Sequence, residues 1–165
     1  ALEDTPVARF GEFPGGDTVT YKEGIYVGYR YYDSFGVEPE FCFGHGLSYT
    51  DFAYTDLAVE AAKNGEGEPE VRVSFTLTNT GSVAGAEAAQ LYVSDPECSV
   101  PRPAKELKGF QKVFLAPGQS KRVSMTLKKT RSAITARRNR AGSWSQANSA
   151  SWWAAPPGTS GWKAM

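Results

Sequence analysis

The sequence has few of the residues that metal and cofactor sites usually need. Its 165 residues include one histidine and two cysteines, and the formal net charge is zero. His45 with Cys42 three residues before it is too little for a metal site, which needs several ligands at fitted spacing. A neutral chain gives no general electrostatic reason to bind nucleic acid or an anionic membrane. We therefore predict no metal, no cofactor, no nucleic-acid partner and no membrane partner, with His45 a packed or hydrogen-bonded loop residue.

Long hydrophobic runs and a disulfide framework are also missing. No apolar run approaches the roughly 18 residues that span a bilayer, and ALEDTPVARF at the start lacks the basic and apolar regions of a signal peptide. The sequence begins without Met, so we expect it to start inside a longer chain. Cys42 and Cys98 could pair, but we favour two free thiols that are buried or partly buried.

Residues 55–127 lack a helical pattern and alternate instead between apolar and polar residues, as strands do. In residues 70–93 two alternating runs flank the turn residues Asn79, Gly81 and Gly85, which predicts a hairpin. Further strands are predicted over 55–62, 110–115 and 121–127, with a proline-rich connection over 94–109. Five or six short strands with turns between them predict a mainly β fold of the sandwich type.

The first 54 residues are rich in aromatic side chains. Residues 1–20 contain glycine and proline and predict a loop, whereas the aromatic and β-branched residues of 21–33 predict a strand. In FCFGHGLSYTDFAY two glycines flank His45 and prevent regular structure. We expect this loop to pack against something, because its large apolar residues are too many to stay exposed: Phe41, Phe43, Leu47, Tyr49 and Phe52.

Five segments in this order resemble the C-terminal end of glycoside hydrolase family 3 β-glucosidases: EGIYVGYRYYD, FGHGLSYTDF, VSFTLTNTGSVAGAEAAQLYVSD, PRPAKELKGF and FLAPGQS. The resemblance implies that residues 1–50 are the C-terminal remnant of an α/β sandwich domain. It implies that residues 51–129 form an incomplete fibronectin type III-like (immunoglobulin-like) β-sandwich. The implied enzyme hydrolyses terminal β-linked glucose from glucosides with retention, and family analogy favours secretion.

The resemblance implies that this chain holds no catalytic group. Retaining glycosidases need two carboxylates about 5 Å apart. In this family the nucleophile is an Asp on an earlier barrel domain, and the acid/base is a Glu upstream of the motifs seen here. We therefore predict no catalytic, substrate-binding or metal residue and no turnover by this chain alone. Its partners are the upstream catalytic domains, and the β-glucoside binds only to the full enzyme. The alternative is a free-standing sandwich that binds carbohydrate or protein.

Other candidate residues have an ordinary structural interpretation that we prefer. Glu38, Glu40, Glu66, Glu68 and Glu70 are interpreted as solvated loop charges, because no apolar surround would raise a pKa. Tyr26, Tyr29, Tyr31, Tyr32 and Tyr49 could stack on sugar rings, although core or interdomain packing is favoured. Gly24, Gly28, Gly44 and Gly46 lack phosphate-loop spacing. Arg102, Lys105 and Lys108 could touch another domain, but a solvated connection is favoured; His45 could neighbour the cleft of a complete enzyme.

Residues 130–165 depart from the family pattern, since they carry no acidic residue and all four tryptophans. We interpret them as an aberrant tail that is either frameshifted or disordered. Trp152 and Trp153 fix the bases TGGTGG, and with permitted codons a one-base shift gives VLEPGKFGVLVGRSSRDIRLEGH, which resembles the missing terminal strand. The rival interpretation is a basic tail that binds anionic partners. A sandwich without its final strand has unpaired edges, so we expect the isolated chain to fold poorly and aggregate.

Overall fold

The computed structural model describes residues 2–96, 98, 100–128 and 151–155. Two short helices open the chain, a 3-10 helix at Leu2–Asp4 and α1 at Pro6–Arg9, where a loop was predicted. Helix α2 follows at Tyr29–Phe35. Six strands come next: β1 Phe52–Lys63, β2 Pro69–Asn79, β3 Gly85–Ser94, β4 Glu106–Leu115, β5 Ser120–Lys128 and β6 Ser151–Ala155.

The strands form two three-stranded antiparallel sheets. The first sheet has the order β1-β2-β5, and the second has the order β4-β3-β6. Alternate residues of β2, β3, β4 and β5 enclose one apolar core between the sheets, as the period of two predicts. The mainly β sandwich is therefore confirmed. Its buried core consists of Val73, Phe75, Leu77, Ala89, Leu91, Val93, Val113, Leu115, Val123, Met125 and Leu127.

The predicted hairpin over 70–93 is wrong, although both of its strands exist. Strand β2 pairs with β1 and β5 in the first sheet, whereas β3 pairs with β4 and β6 in the second. Residues 80–84 therefore carry the chain across the sandwich from one sheet to the other. In this arrangement the apolar faces of β2 and β3 both contribute to the core between the sheets, where Leu77 and Ala89 are fully buried. A hairpin would place those two faces side by side and would leave both uncovered.

The other strand predictions of the sandwich are confirmed, with longer strands than expected. The predicted strand over 121–127 lies within β5, and its inward residues Val123, Met125 and Leu127 are buried. Strand β4 begins at Glu106, so the proline-rich connection is shorter than predicted and ends at residue 105. Strand β1 contains a bulge between Thr55 and Ala58.

The strand predicted over 21–33 is wrong, because the structure has α2 at Tyr29–Phe35. Gly28 and Gly36 bound the helix with positive φ angles of 58° and 64°, which favour glycine. Within α2 the rings of Tyr31 and Phe35, four residues apart, lie 5.0 Å apart between centroids. The aromatic residues here thus follow the spacing of a helix rather than the alternation of a strand.

The tail contains one described strand where none was predicted. Strand β6 pairs antiparallel with β3, with Ser151 opposite Ser94 and Ala155 opposite Gln90. The prediction of a tail without a strand is therefore wrong for residues 151–155. The remainder of the predicted aberrant tail lies outside the described residues.

Candidate interdomain interface

The N-terminal segment, residues 2–50, contacts the outer side of the second sheet through Tyr29 of α2. The Tyr29 hydroxyl accepts a hydrogen bond of 2.7 Å from the backbone N–H of Leu107. Its ring packs edge-on against Tyr92 of β3, with 5.6 Å between centroids, and lies 5.2 Å from the ring of Phe43. One tyrosine therefore joins α2 to both β3 and β4.

The proline-rich connection between β3 and β4 also binds α2. The Lys105 ammonium lies 3.2 Å from a carboxylate oxygen of Asp33. The backbone N–H of Ala104 donates to the Ser34 hydroxyl at 2.9 Å. The Tyr26 hydroxyl, in the loop before α2, donates to the carbonyl of Arg102 at 3.5 Å. The connection therefore contacts the N-terminal segment at three points.

The basic patch in this connection is not solvated as predicted. The Arg102 side chain is only 12 % exposed, and its guanidinium forms an ion pair of 3.5 Å with Asp95 and a second pair with Glu106. Lys108 lies 3.6 Å from the same Glu106 carboxylate. The alternating charges neutralise one another, so this patch supports the connection rather than an anionic ligand.

Tyr92 is the electrostatic centre of the contact. The pKa of Tyr92 is raised to about 12, mainly by burial and in part by the neighbouring Tyr29, Asp33 and Cys42, which disfavour a phenolate. The Lys105 ammonium lies 5.2 Å from the centre of the same ring, within cation–π distance. Tyr92 therefore stays neutral at physiological pH and serves packing.

A second contact joins the N-terminal segment to the sandwich where β1 begins. The Thr50 hydroxyl donates to the side-chain oxygen of Asn79 at 2.6 Å. Asn79 is fully buried, and its amide donates to the carbonyls of Val83 at 2.8 Å and Leu115 at 3.1 Å. The backbone N–H of Gly81 donates to Asn79 at 3.0 Å. One carboxamide therefore ties together the N-terminal segment, the 80–84 crossing and the end of β4.

Most of the predicted tyrosine cluster packs within the protein. Tyr31 is buried and contacts Phe10 and Phe35, and Tyr26 contacts Phe35. Tyr32 packs edge-on against Tyr31. Tyr49 differs, since it is 96 % exposed. The favoured packing interpretation therefore holds for four of the five tyrosines.

The other residues singled out in the sequence lie apart from one another. Glu38, Glu40, Glu66 and Glu68 are exposed, and Glu70 lies 4.0 Å from Arg72. The His45 ring lies 5.0 Å from that of Phe41. Cys42 and Cys98 are unpaired and partly buried. Within the described ranges there is no cluster of three or more His, Cys, Asp or Glu that could hold a metal, and no helix there is long and apolar enough to cross a membrane.

The expected cover of the 41–50 loop is missing from the described residues. Phe41 is 67 % exposed, Phe43 54 % and Leu47 98 %. Two phenylalanines of β4, Phe110 and Phe114, are exposed as well. The sequence analysis did not single out Phe110 and Phe114. Alternation along β4 places them on the outer face with Lys112, opposite to the buried Val113 and Leu115.

Comparison with known proteins agrees with this architecture. The family model for the fibronectin type III-like domain matches residues 87–160. Thermostable beta-glucosidase B of Acetivibrio thermocellus is 56 % identical over 118 residues, which are 71 % of this chain and 16 % of that protein. Probable beta-glucosidase I of Aspergillus fumigatus is 52 % identical over 115 residues, 67 % of this chain and 14 % of that protein.

Solved structures give the same result. The GH3 beta-glucosidase of Bifidobacterium adolescentis superposes with a TM-score of 0.72 at 39 % identity, over 83 % of this chain and 20 % of that one. Fold and sequence together define a fibronectin type III-like β-sandwich module with an N-terminal extension. The chain belongs to glycoside hydrolase family 3, and it corresponds to the C-terminal part of the β-glucosidases of that family. It spans 14–17 % of the length of the curated relatives it matches.

Proposed function

We propose that this chain is the C-terminal supporting part of a β-glucosidase that hydrolyses terminal β-linked glucose with retention, and that it supplies no catalytic group itself. The observation that carries the proposal is the identity of 56 % over 118 residues with a β-glucosidase of which the chain covers only 16 %. In such an enzyme the upstream catalytic domains are the partner of this chain, and substrate binds to them.

The arrangement of carboxylates supports an inactive chain. Retention requires two carboxylates about 5 Å apart across the scissile bond, one as nucleophile and one as acid/base. Glu38, Glu40, Glu66 and Glu68 are exposed on loops. Of the buried or partly buried carboxylates, Asp95 and Glu106 are engaged by Arg102. Glu87 accepts a hydrogen bond from Tyr54 at 2.8 Å between the sheets. Glu12 is buried and accepts hydrogen bonds from the backbone N–H groups of Lys22 and Glu23. Each carboxylate named here that is not exposed is held by contacts within the fold.

A chimera tests the proposal. It joins the catalytic part of the Acetivibrio thermocellus relative, meaning everything before the segment matched here, to the full chain. We expect this chimera to hydrolyse an aryl β-glucoside, whereas the chain alone gives no rate above buffer. The matched control is the same catalytic part without any C-terminal partner, which we expect to lose most of its activity.

Two results would contradict the proposal. One is turnover of the aryl glucoside by the chain alone that disappears on substitution of one of its own Asp or Glu residues. The other is an inactive chimera whose catalytic part regains activity with its own C-terminal part. Binding of cello-oligosaccharides by the chain alone, followed by calorimetry, would favour the free-standing binding module instead.

We also propose domain limits at residues 50/51 and 129/130, with a frameshifted tail. Strand β1 begins at Phe52, close to the first limit. Strand β6 falls on residues 151–155, whose one-base-shifted reading includes Leu-Val-Gly. The nucleotide sequence tests the tail, since the codons of Ser151 and Gly161 must permit the shifted phrase. A chain with the shifted ending should also melt at a higher temperature than this one.

A further inference from the structure

We propose that one exposed apolar face of this chain, made by the 41–50 loop and strand β4 together, is the surface on which the catalytic part of the same enzyme sits. The inference rests on the proposed function and names the surface that the upstream domains contact. The apolar face is defined by six residues: Phe41, Phe43, Leu47, Tyr49, Phe110 and Phe114.

The strand contribution follows from the phase of β4. Val113 and Leu115 point into the core and are 3 % and 0 % exposed, so residues 110, 112 and 114 lie on the outer side of the second sheet. Phe110 and Phe114 are 74 % and 69 % exposed there. A solvated sheet face normally carries polar residues at such positions. Two phenylalanines on this phase indicate a face that is covered in the complete protein.

The 41–50 loop follows the same part of the second sheet. Gly44 lies directly against the side chain of Gln90, since a Cβ at Gly44 would stand 1.9 Å from its amide nitrogen. Gln90 is the pairing partner of Phe110. Further along, Thr50 contacts Gly85, which pairs with Leu115 next to Phe114. The loop and the two phenylalanines therefore flank one stretch of β3, from residue 90 to residue 85.

The size and charge of the face fit a large neutral partner. Five exposed aromatic rings with Leu47 expose on the order of 600 Å² of mostly apolar surface, at the upper end for one patch on a monomer. Residues 41–50 contain no Asp, Glu, Lys or Arg, and Lys112 is the only formal charge between Phe110 and Phe114. Such a face has few charged groups that could bind an ionic ligand, and its burial against another apolar surface is favourable in free energy.

The catalytic part is the occupant that the remaining observations favour. The segments that match this chain make up 16–17 % of the curated relatives, so most of such an enzyme remains to be placed against it. Four of the six residues lie in the N-terminal segment, which is anchored to the sandwich by Tyr29, Asp33 and Thr50. Phe10 packs against Tyr31 of α2, and α2 lies on the outer side of the second sheet, so an upstream domain joined to this segment begins on the same side as the apolar face.

Oxidative footprinting with mass spectrometry tests the inference on the chimera and on the chain alone. We expect Tyr49, Phe110 and Phe114 to oxidise at least five times more slowly in the chimera. Leu57 and Val59, exposed on the first sheet, should oxidise equally in both and serve as the matched control. The buried Leu77 reports whether the isolated chain is folded. Equal oxidation of the two phenylalanines in both proteins, with Leu77 protected in both, would overturn the inference.

Substitution in the chimera gives a second readout that does not depend on folding of the isolated chain. F110Q/F114Q should lower the melting temperature of the chimera by several degrees, whereas L57Q/V59Q should not. Equal changes in melting temperature for the two double substitutions would count against the inference. Protection of Phe110 from oxidation in the isolated chain that increases with protein concentration would also count against it, because a second copy of the chain would then cover the face. An active chimera with an exposed Phe110 would refute only this inference; a protected but inactive chimera would refute only the proposed function.

Discussion

Asn79 is fully buried, and its carboxamide forms hydrogen bonds with four residues from three parts of the chain. An unsatisfied buried polar group costs about 1–3 kcal/mol, whereas a satisfied one contributes modestly. The sequence identified Asn79 as a turn residue with unusual backbone freedom. Its actual role is to bind Thr50, Gly81, Val83 and Leu115, and the distance of these partners along the chain hid that role from local reasoning.

We expect N79A to lower the free energy of unfolding by about 3 kcal/mol, because it leaves two carbonyls, one hydroxyl and one N–H in the interior without their hydrogen-bond partner. The control is T80A, which alters an exposed side chain in the same turn and should change stability by at most about 0.5 kcal/mol. Urea denaturation followed by tryptophan or tyrosine fluorescence measures both. Similar midpoints for the two variants would show that water replaces the lost partners.

Because Tyr92 lies in the contact between α2 and the sandwich, we expect the stability of the folded chain to depend on pH in the alkaline range. In the unfolded chain a tyrosine loses its proton near its ordinary pKa of about 10, whereas burial raises the pKa of Tyr92 in the folded chain to about 12. Folding therefore retains a proton that the unfolded chain releases. Stability from this group is complete below pH 10 and is lost as the pH rises from 10 to 12.

We expect Y92F to weaken the fall in melting temperature between pH 10 and pH 12. Phenylalanine keeps the ring that packs against Tyr29 and removes the ionisable hydroxyl. Differential scanning fluorimetry across the pH series measures this slope, with Y21F as the control because Tyr21 is exposed. If the melting temperatures of Y92F and Y21F fall equally with pH, the loss of stability at alkaline pH arises from other groups. Tyr54 is one such group, since its pKa is also raised by burial and by the adjacent Glu87.

At the scale of the elements, the crossing between β2 and β3 depends on glycines that admit Thr50. A Cβ at Gly85 would stand 2.6 Å from the Thr50 methyl carbon, and one at Gly81 would stand 2.2 Å from its hydroxyl oxygen. The N-terminal segment therefore enters the end of the sandwich through a gap that two glycines keep open. The motif of Asn79, Gly81 and Gly85 thus encodes a tertiary contact as well as a turn.

We expect G85A to destabilise the chain by about 1–3 kcal/mol through overpacking. T50S removes the opposing methyl and keeps the hydroxyl that donates to Asn79, at a cost of about 1 kcal/mol on its own. The G85A/T50S double variant should therefore be more stable than the sum of its single changes by about 1 kcal/mol or more. Strict additivity in denaturation experiments would mean that Gly85 is needed for its backbone and not for space.

The elements show what a local pattern can and cannot predict. Alternation in β5 identified its buried residues correctly, since Val123, Met125 and Leu127 depend only on which face is wet. The same signal in 70–93 could not separate a hairpin from a crossing between sheets, because both place a turn between two alternating strands. In 29–35 aromatic composition favoured a strand, but flanking glycines with positive φ and contact with Phe10 stabilise a helix instead.

For the whole molecule, the decisive property is an apolar surface without cover among the described residues. Sequence reasoning expected the loop of Phe41 to Tyr49 to find a partner. It missed that Phe110 and Phe114 complete the same face, because only the pairing register of β3 with β4 shows that these two residues lie near the loop. The interface between α2 and the 95–105 connection was likewise invisible, since Asp33 and Lys105 are 72 positions apart and meet only in the folded chain.

We expect the isolated chain to bind a hydrophobic dye such as ANS and to aggregate at moderate concentration, because this face stays exposed. F110Q/F114Q should reduce dye binding severalfold without lowering the melting temperature. Light scattering and dye fluorescence measure both, with L57Q/V59Q as the control. A cooperative melt at high temperature with no dye binding would contradict the expectation of a poorly folded, sticky chain.

The placement of β1 and β5 on either side of β2 has a mechanical consequence. Both are antiparallel to β2, with Phe52 opposite Asn79 and Lys128 opposite Glu70, so the start of β1 and the end of β5 lie at opposite ends of the first sheet. Tension applied between these two points pulls along the strands. The rows of hydrogen bonds then share the load in shear instead of breaking one at a time.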